Sequence, residues 1–101
     1  MKKNKKQFTK FDQNKLQYSL IPPIALEALA EVFTYGAIKY EANNWKLNNN
    51  KNRIIDALYR HLEAYRSGEI KDNESGLPHL SHAMVNISFL LYIGKNNEWI
   101  W

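Results

Sequence analysis

The segment from Pro78 to Ile93 constrains the fold most. Wound as an α-helix, it sets Leu80, Ala83, Val85, Ile87, Phe89, Leu90, Leu91 and Ile93 around most of its circumference, and only Ser81 and Ser88 mark a wet side. A helix apolar nearly all round belongs at the centre of a bundle, with other helices laid over it. His79, His82 and Asn86 nevertheless fall within about a 60° sector of the same wheel. Each large polar group buried there without a partner costs about 1–3 kcal/mol. The trio is therefore either a satisfied polar seam in the core or the lining of a functional site.

Two further helices are expected to supply the cover. Pro22-Pro23 suits a first helical turn, and a helix should run from about Ile24 to Ala37. It carries Leu26, Leu29, Ala30, Phe33 and Ala37 on one side, with Gly36 near its end as a terminator. The asparagine-rich stretch 41–51 reads as a loop, and Asn50 or Asn52 can cap a second helix from about Arg53 to Arg66. Ile54, Leu58, Leu62 and Tyr65 stripe that helix, and Ser67-Gly68 stops it. An acidic loop, Glu69 to Gly76, leads into the third helix, which Gly94 and two asparagines close. Nothing alternates with period two, so strands are not expected, and no internal repeat is present. A chain of 101 residues holds one domain and buries a modest share of its surface. The expected fold is all-α, with three main helices per chain in a bundle completed by oligomerisation to a dimer or tetramer. Trp99 and Trp101 suit an interface between copies or a fold-back onto their own helices.

Composition narrows the function classes. There is no cysteine, which excludes disulfides, thiolate zinc sites and cysteine nucleophiles. No apolar run approaches the roughly 20 residues of a membrane span, and the N-terminal lysines are not followed by a signal core. A cytoplasmic location is expected, without a membrane partner. Residues 1–15 hold six lysines against Asp12, a net of +5; the remainder holds eight basic and nine acidic residues, a net of −1. Residues 1–14 thus read as a flexible basic arm and 15–101 as a single helical domain. The arm has the charge to touch nucleic acid, but a solubilising end is the preferred reading and nucleic acid is not an expected partner.

Several residue groups can carry chemistry. Glu27, Glu31 and Thr34 are spaced i, i+4, i+7, and the two carboxylates repel unless a cation lies between them or water screens them. Arg53 and Arg60 share a face with His61 beside them, which suits a polyphosphate clamp; Arg60 could instead pair with Asp56. Glu69, Asp72 and Glu74 cluster just before His79 and His82. Carboxylates suit magnesium or manganese, and histidine is admissible for manganese. Asn44 and Trp45 can read and stack on a base, or the indole can simply anchor a loop to the core.

These residues in order, Lys15-Leu16, Leu20-Ile21-Pro22-Pro23, Ala25-Leu26-Glu27, Tyr35-Gly36-Ala37, Lys39-Tyr40, Asn44-Trp45, Arg60-His61-Leu62, Gly68-Glu69, Asp72 and Glu74 through Ala83, ending in Asn86, resemble the dATP/dGTP diphosphohydrolase domain of phages, a relative of the MazG-like all-α nucleotide pyrophosphohydrolases. The similarity spans about residues 8–93, and Glu74-Ser75-Gly76-Leu77-Pro78-His79-Leu80-Ser81-His82-Ala83 is its most specific stretch. The resemblance implies an oligomeric enzyme that splits purine deoxynucleoside triphosphates into monophosphate and pyrophosphate with Mg2+ or Mn2+. On that footing Glu27, Glu31, His61 and Asp72 are candidate catalytic residues, and Glu69, Asp72, His79 and His82 candidate metal ligands. Lys39, Asn44, Trp45, Arg53, Arg60 and Asn86 are the candidate nucleotide contacts. The wider MazG-like group carries E-x-x-E and E-x-x-D on two helices; here the first helix shows Glu27 and Glu31 four apart, and Glu69 to Asp72 lies in a loop. The alternative function on this scaffold is a non-catalytic protein that sequesters a signalling nucleotide of host defence.

Overall fold

The computed structural model describes residues 14–97. Its helices are α1 (Pro23–Lys39), α2 (Lys51–Arg66) and α3 (His79–Asn97), with short 3-10 turns at Tyr18–Leu20 and Asn44–Leu47. The all-α expectation holds: among the described residues the only extended pairing is one antiparallel bridge, Lys71 to Pro78. The expected basic arm and the terminal tryptophans lie outside them, save Asn14 at the arm's end.

Local chemistry sets the helix ends. Pro23 occupies the first turn of α1, where its missing N–H would have had no partner. Asn50 caps α2, its side chain accepting from Arg53 N–H at 3.2 Å. Gly68, at φ +108°, turns the chain out of α2. Two expected stops are corrected. Gly36 sits inside α1, which continues to Lys39, and Gly94 is buried inside α3, which continues to Asn97. Neither has the positive φ that a helix-ending glycine supplies, so neither interrupts its ladder.

α3 is the central element, packed extensively on α2 and also on α1. The core is Val32 of α1, Ile54 of α2, and Ala83, Val85 and Ile93 of α3. Phe33, Trp45, Phe89 and Tyr92 form an aromatic cluster that ties α1 and the second 3-10 turn to α3, with Trp45 stacked on Phe89 at 4.8 Å. The expected wet side of α3 is corrected: Ser81 is buried, whereas Leu80, Ile87 and Leu91 face outward. Leu26 of the expected α1 core stripe is likewise exposed, alongside Ile24 and Ile38, and Ala30 is exposed too. The reason is coverage: two helices laid on an all-round apolar helix leave part of its circumference bare. No described helix is long and apolar enough to cross a membrane.

Candidate functional site

The loop between α2 and α3 is folded by short-range chemistry. Asp72 closes a turn, its carboxylate accepting from Ser75 N–H at 2.9 Å and its carbonyl from Gly76 N–H at 2.7 Å. Gly76 takes φ +75°, a left-handed position that suits glycine. Asp72 N–H donates to Leu77 and His79 N–H to Ile70, so the loop doubles back on itself beside the start of α3. This brings Asp72 up to the two histidines of α3.

His61, one turn from the end of α2, meets them from the other side. Its Nδ1 lies 2.8 Å from Nδ1 of His79, and its ring stacks on His82 at 4.6 Å with planes 9° apart. His61, Asp72 and His79 each present a ligand atom within 4.8 Å of the others. Asn86 Nδ2 donates to the His82 carbonyl one turn back, and His82 Nε2 pairs with Ser75 Oγ at 2.7 Å, the same hydroxyl accepting from Leu77 N–H. His79 is buried, and its Nε2 has no hydrogen-bond partner; Glu69 Oε1 stands 3.6 Å away. The sector of polar residues seen in the sequence thus joins His61 and the loop in one polar cluster, partly satisfied by hydrogen bonds and partly not.

Electrostatics shifts three of these groups, His61, His82 and Asp72. Burial lowers His61 below the ordinary imidazole value, and the neighbouring His82 and His79 reinforce it. Burial also lowers His82, with Asp72 opposing. For Asp72, burial pushes the carboxyl up, but the Ser75 N–H and hydroxyl and the nearby His82 and His61 outweigh it and hold it low. His61 and His82 are thus disfavoured as imidazolium cations, and Asp72 is favoured as a carboxylate.

A cleft of about 670 Å³ opens from this cluster and runs between α1, the 41–48 loop and α3. Lys39, Asn44, Trp45, Arg53, His61, Asp72, His82 and Asn86, all expected site residues, line it. Lys39 forms an ion pair with Glu74 across its mouth, which raises the lysine pKa, and its ammonium lies over the Tyr40 ring. Other expected residues fall elsewhere. Glu27, Glu31 and Thr34 line a separate shallow groove with Ser75 and Leu77. Arg60 is exposed and is not part of the cleft wall, although its charge contributes to lowering His61. Trp45 spends its ring face on Phe89, so its anchoring role is realised whatever else it touches.

Sequence reasoning gave Ser75 no role of its own and counted Glu74 only among the loop carboxylates that suit a cation. Ser75 holds both Asp72 and His82, and Glu74 holds Lys39. The signal for Ser75 was present in the Asp-x-x-Ser-Gly spacing of a side-chain-capped turn. The Lys39–Glu74 pair spans 35 positions and has no local signature.

Among known proteins, the family described as dATP/dGTP diphosphohydrolase, N-terminal, matches residues 5–100. A dATP/dGTP diphosphohydrolase of Salmonella phage PMBT28 is 36% identical over 87 residues, which is 86% of this chain. The chain spans about 30% of that relative's length. No solved structure matches.

Proposed function

Because the chain belongs to the dATP/dGTP diphosphohydrolase N-terminal family, we propose that it binds a purine deoxynucleoside triphosphate and, with a divalent cation, magnesium or manganese, hydrolyses it to monophosphate and pyrophosphate. The observation that carries this reading is the cleft itself: His61 and Asp72 of a group able to hold a cation, a lysine and an arginine along its wall, and asparagine amides from the 41–48 loop. Triphosphate needs compensating charge, and neither Lys39 nor Arg53 lies deep enough to be lost to the core.

The residues fit a cation. His61, Asp72 and His79 converge within 4.8 Å, and a buried imidazole nitrogen beside them has no hydrogen-bond partner. Such an ion, when bound, supplies positive charge against the phosphates and lowers the pKa of a water. The chain's own part is then positioning. Lys39 exchanges Glu74 for phosphate oxygens, and Arg53 meets the same chain of phosphates from α2. Water adds to phosphorus, the link between the α- and β-phosphates breaks, and pyrophosphate leaves. The proton released passes to an oxygen of the departing pyrophosphate, because His61 spends its lone pair on the cation. Glu27 and Glu31 open on another groove and take no part in this scheme. Self-association over the bare apolar faces belongs to the same reading, as does the cytoplasm, where such nucleotides are found.

The test is direct. Incubated with dATP or dGTP and Mn2+ or Mg2+, the chain should yield monophosphate and pyrophosphate in equal amounts by chromatography and mass spectrometry. Asp72→Ala should abolish the products while the helical circular-dichroism signal persists. Recovery of intact nucleotide from the protein would replace hydrolysis by sequestration.

A further inference from the structure

We propose that His61, Asp72 and His79 form a site for one cation of the manganese-to-zinc class, that Glu69 positions His79 within it, and that the site does not take magnesium by itself. This rests on the preceding reading for the place of a cation in the cleft and deepens it by naming the cation class and the atoms that select it.

The argument begins with the two imidazoles. His61 comes from α2 and His79 from the first turn of α3, and their Nδ1 atoms face each other at 2.8 Å. Two neutral rings in this relation share one proton between their Nδ1 atoms; with that proton moved to Nε2 of its own ring, both Nδ1 lone pairs would be free to hold a cation. A carboxylate oxygen of Asp72 joins them from a third element, the loop.

The far side of His79 explains the second half of the proposal. That side chain is only 7% exposed, yet Nε2 makes no hydrogen bond. An orphan polar atom at that depth calls for a reason. Glu69 Oε1 lies 3.6 Å from it, just outside hydrogen-bond range. A carboxylate behind an imidazole fixes the tautomer of a metal-bound histidine: Nε2–H turns to Glu69, and the Nδ1 lone pair is left for the ion. His82 has a different task. Its Nε2 is held by Ser75 Oγ, and its ring lies flat on His61, which keeps the latter aimed at His79.

Donor chemistry sets the class. Two imidazole nitrogens and one carboxylate oxygen suit the later first-row divalent ions, with manganese at the weak end of the series. Magnesium demands oxygen ligands in near-octahedral geometry and gives up water reluctantly, so two nitrogens of three donors disfavour it.

The experiment uses the full chain without nucleotide. Co2+ uptake is followed by visible absorption, and Mn2+ and Zn2+ binding by calorimetry. One ion per chain is expected, with no displacement by a large excess of Mg2+. His61→Ala, which removes a part-buried side chain outside the apolar core, should abolish uptake with the helical signal unchanged. Glu69→Gln should keep the stoichiometry and weaken affinity about 10–100-fold. Absence of Co2+ uptake by the wild type, equal uptake by His61→Ala, or release by Mg2+ would overturn the site, and an unchanged affinity in Glu69→Gln would remove the positioning role. Co2+ bound as described while dATP and dGTP stay intact would sink the hydrolytic reading alone. Hydrolysis in Mg2+ by a protein that takes up no Co2+ would sink this inference alone.

Discussion

At the scale of single residues, burial disfavours the charged forms of His61 and His82, whereas hydrogen bonds from Ser75 hold Asp72 ionised against burial. His61 and His82 sit below the ordinary imidazole value of 6.5, so the folded chain binds fewer protons there than the unfolded chain. Their contribution to stability is complete above that value and is lost as pH falls through it toward the folded values. Asp72, held below its ordinary 3.8, adds a second loss at still lower pH. Thermal melting should therefore show a lower midpoint at mildly acid than at mildly alkaline pH, and a rise on acidification would contradict the assignment. Ser75 is the other sensitive residue, because one hydroxyl serves both Leu77 N–H and His82 Nε2. Ser75→Ala should lower stability by about 1–3 kcal/mol, the range for stranding a partly buried polar group, as read by urea unfolding. The polar sector of His79, His82 and Asn86 was legible from helical periodicity alone. His61's place against them was not, because it depends on how α2 lies on α3, which no local pattern encodes.

At the scale of elements, the decisive piece is the loop rather than any helix. Its carboxylates read from the sequence as a loose acidic stretch, but Asp72, Ser75 and Gly76 form a closed turn bridged by Lys71 and Pro78. One bridge gives no alternating pattern, so period-two reasoning could not find it. Gly76 carries the geometry at φ +75°, and a Cβ there would meet no atom within 4 Å, so any cost of a substitution is in the backbone. Gly76→Ala should destabilise by about 1–2 kcal/mol, the penalty of a left-handed L-residue, and should weaken Co2+ uptake by moving Asp72. Retained affinity would mean that the loop re-forms its turn without the glycine. Asn50→Ala, distant in chemistry from the site, serves as the comparison. It should cost about 1 kcal/mol of stability through loss of the α2 cap and leave cation affinity alone.

At the scale of the whole molecule, the distribution of apolar surface is the outstanding fact. Periodicity marked α3 as a helix to be covered all round, and the small size of the chain suggested that a partner copy completes the bundle; what the sequence could not say is which faces of α3 and α1 one chain leaves bare. Leu80, Ile87 and Leu91 recur at i, i+7 and i+11 on α3 and are each more than 40% exposed, while Ile24 and Leu26 of α1 are more than 60% exposed. A stripe with that spacing is the seam of a helix that packs on another helix. No residue in the described core is large and fully buried, so the chain alone has a thin interior for its size. Light scattering after size exclusion should therefore return a multiple of the 11.9 kDa chain mass. Ile87→Glu with Leu91→Glu should shift the mass toward that of one chain and lower the melting temperature, since a charge on a buried seam is costly. Leu47→Glu provides the contrast: that leucine is 82% exposed in the 3-10 turn, away from the α3 stripe, and its replacement should leave the mass unchanged. A wild-type mass of 11.9 kDa at high protein concentration would instead mean that the chain tolerates its bare stripe in water, and the self-association argued from it would fall while the cation site within one chain would stand.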